Sequence, residues 1–173
     1  MAKLTILTEP NPILRKVAQE VETINDQLLK LIDDMVETMG SDVGLAAPQI
    51  GISQRILVMN LHDNDDFERP EGFYPIKMIN PEIIERSKEM VTADEGCLSL
   101  PGIRISVERS KEVKVKYMDC NKQIQELEAK GWLARVVQHE MDHLNGKLAI
   151  DYLSSMKKDV ALRKLKKLKK RIA

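Results

Sequence analysis

Apolar residues recur along this chain at three distinct spacings, and each spacing predicts its own kind of element. Leu28, Leu29, Ile32, Met35, Val36 and Met39 keep the i, i+3, i+4 rhythm of an amphipathic helix, with Asn25 placed to cap its start and Gly40 its exit. Asn11-Pro12 reads as an N-cap followed by proline at the first helical position, opening a short helix with Leu14, Val17 and Val21 inward. The unbroken run Ile56-Leu57-Val58-Met59 within 55–60 predicts a buried strand. Val113, Val115 and Tyr117 instead alternate with Lys114 and Lys116, a half-exposed strand that Asp119-Cys120-Asn121-Lys122 turns back toward 123–128 as a hairpin. Short strands are expected around 76–91 and 103–107, and a polar, turn-rich surface loop over 61–75. Two helices, about 130–145 and about 155–171, close the chain. Strands gathered in the middle and helices at the ends predict an α+β fold of small antiparallel sheets rather than alternating βαβ units.

Composition narrows the class. The 173-residue chain is 43% hydrophobic and 31% charged, which fits a single domain over 1–173 and is too apolar for disorder. No apolar run approaches the ~20 residues that cross a bilayer, so no membrane partner is expected. The opening Met1–Pro10 lacks the apolar stretch of a signal peptide. Cys97 and Cys120 cannot build a disulfide framework, and free thiols fit a reducing, cytoplasmic compartment. The formal net charge is zero, but nine basic residues and one acid from Lys157 onward put +8 on the tail and leave −8 on the body.

The candidate chemistry begins with His139-Glu140-Met141-Asp142-His143, an HExxH pattern. On a helix, positions i and i+4 share a face, so His139 and His143 can bind one metal, and Glu140 beside them can act on a metal-bound water as general base. Trp132, Val136, His139 and His143 fall on one stripe, which supports the helical placement. The alternative is a solvated helix face carrying two ordinary histidines. A catalytic metal wants three protein ligands and an open position. The remaining histidine, His62, lies in the polar loop and is expected in solvent. Cys97, in Glu95-Gly96-Cys97-Leu98-Ser99, sits beside a glycine at a strand edge where the backbone can bend a thiolate toward a metal. A small buried hydrophobe is the equal alternative for it, and Cys120 is expected to be a tolerated exposed thiol.

Three separated segments, in order, resemble the motifs of bacterial peptide deformylases: Val43-Gly44-Leu45-Ala46-Ala47-Pro48-Gln49, Glu95-Gly96-Cys97-Leu98-Ser99, and Gln138-His139-Glu140-Met141-Asp142-His143-Leu144-Asn145-Gly146. The resemblance runs from the first helix to the end of the chain. It implies sheets around a central metal-binding HExxH helix, with a basic C-terminal helix. It also implies removal of the formyl group from N-formyl-methionyl peptides and nascent chains. Carried onto this sequence, it makes Cys97, His139 and His143 the metal ligands and Glu140 the group that takes the water's proton and later delivers it to the leaving amine. The Gln49 side chain and the Leu98 backbone N–H donate to the formyl oxygen as charge develops there. The Gly44 backbone lines the approach, and Val43, Trp132 and Val136 are candidates for the methionine slot. The family's metal is iron(II), with nickel, cobalt or zinc able to substitute.

Two departures stand out. The family's first motif has another glycine two before Gly44, and here that position is Asp42. An acid there bears on the loop's φ/ψ and on the charge at the rim of the cleft. The 61–75 loop is also longer than in many relatives. Asp142 reads as structural, a partner for a basic residue such as Arg109. Two rival functions are a zinc endoprotease, which would need an extended groove and a third His or Glu ligand, and a ribosome- or RNA-binding protein whose metal is structural. The resemblance implies ribosome contact through the basic tail, where Leu162, Leu165, Leu168 and Ile172 form one narrow apolar stripe; a solvated helix docked on the acidic body is the alternative.

Overall fold

The computed structural model describes residues 2–172, with the Ile172 side chain outside the described set. Three helices, α1 (Asp26–Met39), α2 (Gly131–Leu144) and α3 (Ser155–Ile172), flank seven strands: β1 (Gly44–Ala46), β2 (Ile56–Met59), β3 (Ile76–Arg86), β4 (Met90–Cys97), β5 (Leu100–Ser110), β6 (Glu112–Met118) and β7 (Ile124–Lys130). Five strands form an antiparallel sheet in the order β1-β2-β3-β6-β7, and β4 and β5 pair separately as a two-stranded antiparallel hairpin. This is the expected α+β architecture.

The continuous apolar run of β2 has a simple cause: the strand is covered on both faces. Ile56 and Val58 pack with Leu28, Ile32, Met35 and Met39 of α1. Leu57 and Met59 point the other way, into a cluster with Leu133, Val137 and Met141 of α2. A strand between two helices has no polar face to show, which erases the alternation seen in β6. The α1 boundaries follow the expected caps, since Asn25 Oδ1 accepts from Leu28 N–H at 2.9 Å and Gly40 takes φ +58°.

Three local expectations need correction. The strand structure expected over 76–91 is β3 and the first part of β4, and that at 103–107 is the middle of an eleven-residue β5. Both run past their apolar cores because the hydrogen-bonded ladder continues through exposed polar positions such as Glu82, Asp94 and Glu108. Val17 is not inward. The turn after Asn11 is a single 3-10 turn ending at Arg15, and Val17 stands 66% exposed while Leu14 is fully buried. Cys120 is half-buried against the α1 cluster rather than exposed, and burial raises its thiol's pKa.

The third core lies under the hairpin. Ile103, Ile105 and Val107 of β5 pack with Leu148, Ile150 and Leu165, so α3 docks on the hairpin through the predicted stripe of Leu162, Leu165 and Leu168. Lys169 Nζ donates to Glu9 O at 2.7 Å and Lys158 Nζ to Asp151 at 3.0 Å, which pins two of the tail's cations to the body.

Candidate active site

Helix α2 is buried nearly all round, with eleven of its fourteen residues out of solvent. Its three faces do different work. Leu133, Val137, Met141 and Leu144 meet the five-stranded sheet. Arg135, Gln138 and Asp142, at helical steps of three and four, face the β4–β5 hairpin, where they bond to Glu95, Ser110 and Arg109. His139 and His143 face Cys97 at the end of β4. The ligand atoms of these three residues lie within 4.8 Å of one another. The register shifts between Gly96, opposite Arg104, and Cys97, opposite Leu100, so the cysteine closes the β4–β5 ladder at an irregularity.

The helix needs an N-terminal cap, and its own Lys130 does not provide one. Asp66 of the 61–75 loop does: its Oδ2 accepts the Trp132 backbone N–H at 2.6 Å. Gly131 has φ +59°, and a Cβ there would run into the Asp66 carboxylate. The loop is therefore tied to the N-terminus of α2. It is also packed internally, with Arg69 bonded to Asp65 and stacked on Phe67 and Phe73. A cap borrowed from a residue this remote in sequence has no local signature.

Sequence reasoning also missed the supports behind the histidines. His139 Nδ1 lies 2.8 Å from Glu95 Oε1, an arrangement in which the imidazole donates to the carboxylate and leaves Nε2 turned toward Cys97 and His143. Glu95 in turn accepts from Arg109 at 2.8 and 2.9 Å and from Arg135 at 2.6 Å. Burial opposes its charge, but the Arg109 and His139 hydrogen bonds prevail and hold its pKa at about 2. Arg109 also donates to Asp142 at 2.6 Å, the pairing expected from sequence, and Tyr152 OH donates to the same carboxylate at 2.6 Å.

The two histidines are shifted in opposite directions. Burial works against a charged His139, yet its bonds to Cys97 and Glu95 outweigh burial and hold it well above the ordinary imidazole value. His143 is held well below, first by burial and then by the charge of His139. Cys97 Sγ and His143 Nε2 are 3.4 Å apart. Two donors on one tetrahedral divalent ion, with metal–sulfur ~2.3 Å and metal–nitrogen ~2.05 Å, would be about 3.5 Å apart. The residues fit a metal. His143 Nδ1 is buried with no partner among the described residues.

Glu140 lies next to the ligands, 4% exposed, and burial lifts its pKa to about 7 despite the opposing pull of His139. Its Oε2 has no partner among the described residues. Gly44 presses on it: a Cβ at Gly44 would lie 2.6 Å from Glu140 Oε1. The first-motif glycine thus makes room for the acid on α2 as well as lining the cleft. Gln49 is 1% exposed, and its Oε1 accepts the Ala46 N–H at 2.9 Å, which turns the amide nitrogen inward. That nitrogen donates to Ser99 Oγ at 3.2 Å and points at Cys97 Sγ at 3.8 Å. Leu98 is half-buried and lines the same cleft as Gln49.

These residues open into a cleft of about 720 Å³ whose walls include Val43, Gly44, Leu98, Trp132, Val136 and Asp42. Asp42 does not have the left-handed φ that would call for glycine, so the acid changes the charge of the rim and not its backbone. His62 is exposed, away from the ligands, as expected. No helix among the described residues is long and apolar enough to cross a membrane.

Comparison with known proteins agrees with the motifs. Residues 3–159 match the family model described as polypeptide deformylase. A peptide deformylase of Rickettsia canadensis (strain McKiel) is 53% identical over 174 aligned positions, covering 99% of each chain. A crystal structure of peptide deformylase from Ehrlichia chaffeensis superposes with a TM-score of 0.90 at 41% identity, covering 98% of each chain. A second Ehrlichia chaffeensis structure, in complex with actinonin, superposes with a TM-score of 0.89 at 44% identity over 96% of this chain and 98% of that one. On sequence and fold together, the chain belongs to the polypeptide deformylase family, metal-dependent hydrolases that remove the N-terminal formyl group.

Proposed function

We propose that Cys97, His139 and His143 hold the metal on which this deformylase works, with Glu140 as the group that moves the proton. The observation that carries this is the convergence of the three ligand atoms within 4.8 Å beside a buried carboxyl whose Oε2 lacks a partner among the described residues. When bound, a divalent cation supplies water ionised near neutral pH and polarises the formyl carbonyl. Glu140 Oε2 takes the proton from the attacking water and returns it to the nitrogen as the amide bond breaks. The raised pKa of this carboxyl suits a group that must both accept and release a proton near neutrality.

Gln49 Nε2 and the Leu98 N–H donate to the formyl oxygen as negative charge grows there. The Ala46 N–H bond to Gln49 Oε1 supports this by fixing which end of the amide faces the reaction. Val43, Gly44, Trp132 and Val136 line the slot for the methionine side chain, all four lying on the cleft wall. Iron(II) is the metal we assign, with nickel, cobalt or zinc able to replace it, since one thiolate and two imidazoles suit all four. The substrates are formyl-methionyl ends of nascent chains in the cytoplasm, reached by ribosome contact through 155–171.

The test is hydrolysis of a formyl-methionyl peptide by protein loaded anaerobically with iron or with nickel. Release of formate, and its suppression by actinonin, is the expected result. Failure with every one of the four metals would overturn the assignment. A zinc endoprotease would instead cut internal peptide bonds of an unformylated peptide, which this protein is expected to leave intact.

A further inference from the structure

The three proposed ligands come from two separately built bodies. His139 and His143 ride on α2, and Cys97 ends β4 of the hairpin, which shares no ladder with the five-stranded sheet. The distance between thiol and imidazoles is therefore set by whatever fixes helix to hairpin. The face of α2 turned to the hairpin is polar, so its hydrogen bonds set that distance.

Arg135 makes the densest set of them. It is 5% exposed and sits one helical turn before His139. Its Nη1 donates to Glu95 Oε2 at 2.6 Å and to Val107 O at 2.9 Å, and its Nη2 donates to Val91 O at 2.6 Å. One planar guanidinium thus grips both strands of the hairpin and the carboxylate that orients His139. A reciprocal tie runs the other way, from Arg109 on β5 to Asp142 on α2. Arg109 alone already reaches both oxygens of Glu95. A second buried arginine carries a desolvation cost that pairing with Glu95 does not require, so its use lies in the geometry it imposes.

We infer that Arg135 is a positioning residue that holds the β4–β5 hairpin at the separation from α2 where Cys97, His139 and His143 close on one metal ion, and thereby sets how long the metal is retained. This rests on the metal assignment proposed above. Charge and geometry act in opposite directions at this position. A cation near the site repels a metal ion, so removing it as a charge would slow metal release; removing three hydrogen bonds that brace the ligands would speed it. Arg135→Lys keeps the charge and loses the fork, whereas Arg135→Met loses both.

The experiment loads wild type and both variants with cobalt(II), adds excess chelator, and follows release together with the thiolate–cobalt absorption. Release at least about tenfold faster in Arg135→Lys, with a shifted spectrum, is the expected result, in the range that outer supports of metal ligands command. Arg135→Met is expected to release faster than wild type as well. Release within twofold of wild type and an unshifted spectrum in Arg135→Lys would overturn the inference, even if the melting temperature falls. Slower release in Arg135→Met would also overturn it, because the arginine would then act as a charge. If Arg135→Met does not fold, Arg135→Lys decides the matter alone. A wild-type protein that binds no cobalt would instead overturn the metal assignment itself.

Discussion

Helices α2 and α3 follow each other closely in the chain, yet they are built on opposite terms. In α2, Arg135, Gln138, His139, Glu140 and His143 are all buried; Arg135, Gln138, His139 and His143 find their places through partners elsewhere in the fold or through the metal the histidines are proposed to hold, and Glu140 is hemmed in by Gly44. In α3, Leu165 is fully covered, Leu162 and Leu168 are half-buried, and most of the charged positions face water. Buried polar groups are costly unless paired, so a helix such as α2 tolerates few changes. A helix held by one apolar stripe tolerates almost any change off that stripe. Function that needs desolvated, oriented groups belongs on the first kind of helix, and function that needs a replaceable field of charge belongs on the second.

The sharpest test of this contrast is removal of a ligand. Cys97→Ala is expected to lose bound metal and deformylation together, measured by metal analysis and formate release. Cys120→Ala, at a half-buried position away from the ligands, should keep both. Equal loss in the two variants would mean that the ligand has been misassigned. Next comes Glu140→Gln, which preserves shape but cannot accept the proton. Turnover should fall at least ~10²-fold, a typical share for a general base, while metal content stays at the wild-type level.

Gly44→Ala should follow. The new Cβ would come within 2.6 Å of Glu140 Oε1, with its carboxyl and methylene carbons at 2.9 and 3.0 Å. The acid must shift away, and a displacement of about 1 Å in a catalytic group can cost up to ~10²-fold in rate. A loss of tenfold or more in kcat with metal retained is the expected reading. Unchanged kcat would show that Glu140 has room which the packing does not reveal.

These expectations also mark how far the sequence could be read. The helices, β2 and the β6–β7 hairpin were legible because burial writes a period into the residues that carry it. The convergence of Cys97, His139 and His143 beside Glu140, and the Arg109–Asp142 pair, were reachable through motif spacing and resemblance. The braces behind them were not. Arg135 shares a polar stripe with Gln138 and Asp142 that reads as a solvent-facing side, and nothing local says that its partners are a carboxylate and two strand carbonyls. Asp66 looks like one more acid in a polar loop, although it caps a helix that begins 65 residues later. The strand at 90–97 was partly missed for a related reason: exposed Met90 and Val91 and buried Glu95 invert the usual pattern. Non-local polar pairing leaves no periodic trace.

On the α3 side the expected effects fall on stability. Leu165→Ala removes the buried anchor of the stripe and should cost about 2–5 kcal/mol, the usual range for a core leucine truncation. Thermal unfolding would show it. Because α2 has its own packing, kcat on a short formyl-methionyl peptide should remain within about twofold of wild type at temperatures where the variant is folded. A large fall in kcat would mean that α3 braces the hairpin from behind and that the two helices are less separate than their packing implies.

The smallest effect on hydrolysis, and the one that isolates the basic tail, comes from its outer face. Lys164 and Lys167 are exposed, whereas Lys158 and Lys169 are committed to Asp151 and Glu9. Deleting α3 outright would uncover Ile103, Ile105 and Val107 and confuse weakened binding with a damaged fold. The double variant Lys164→Glu, Lys167→Glu leaves the stripe intact and removes two positive charges while adding two negative ones. Hydrolysis of a short peptide should not change measurably. Cosedimentation with ribosomes should weaken, and its salt dependence should flatten by ~1 logarithmic unit for each phosphate no longer neutralised. The body carries the −8 that balances the tail, so an RNA surface would attract α3 and repel the rest. Undiminished, equally salt-sensitive cosedimentation of the folded double variant would exclude α3 from the ribosome-binding surface and leave it as a docked helix whose charge serves only solubility.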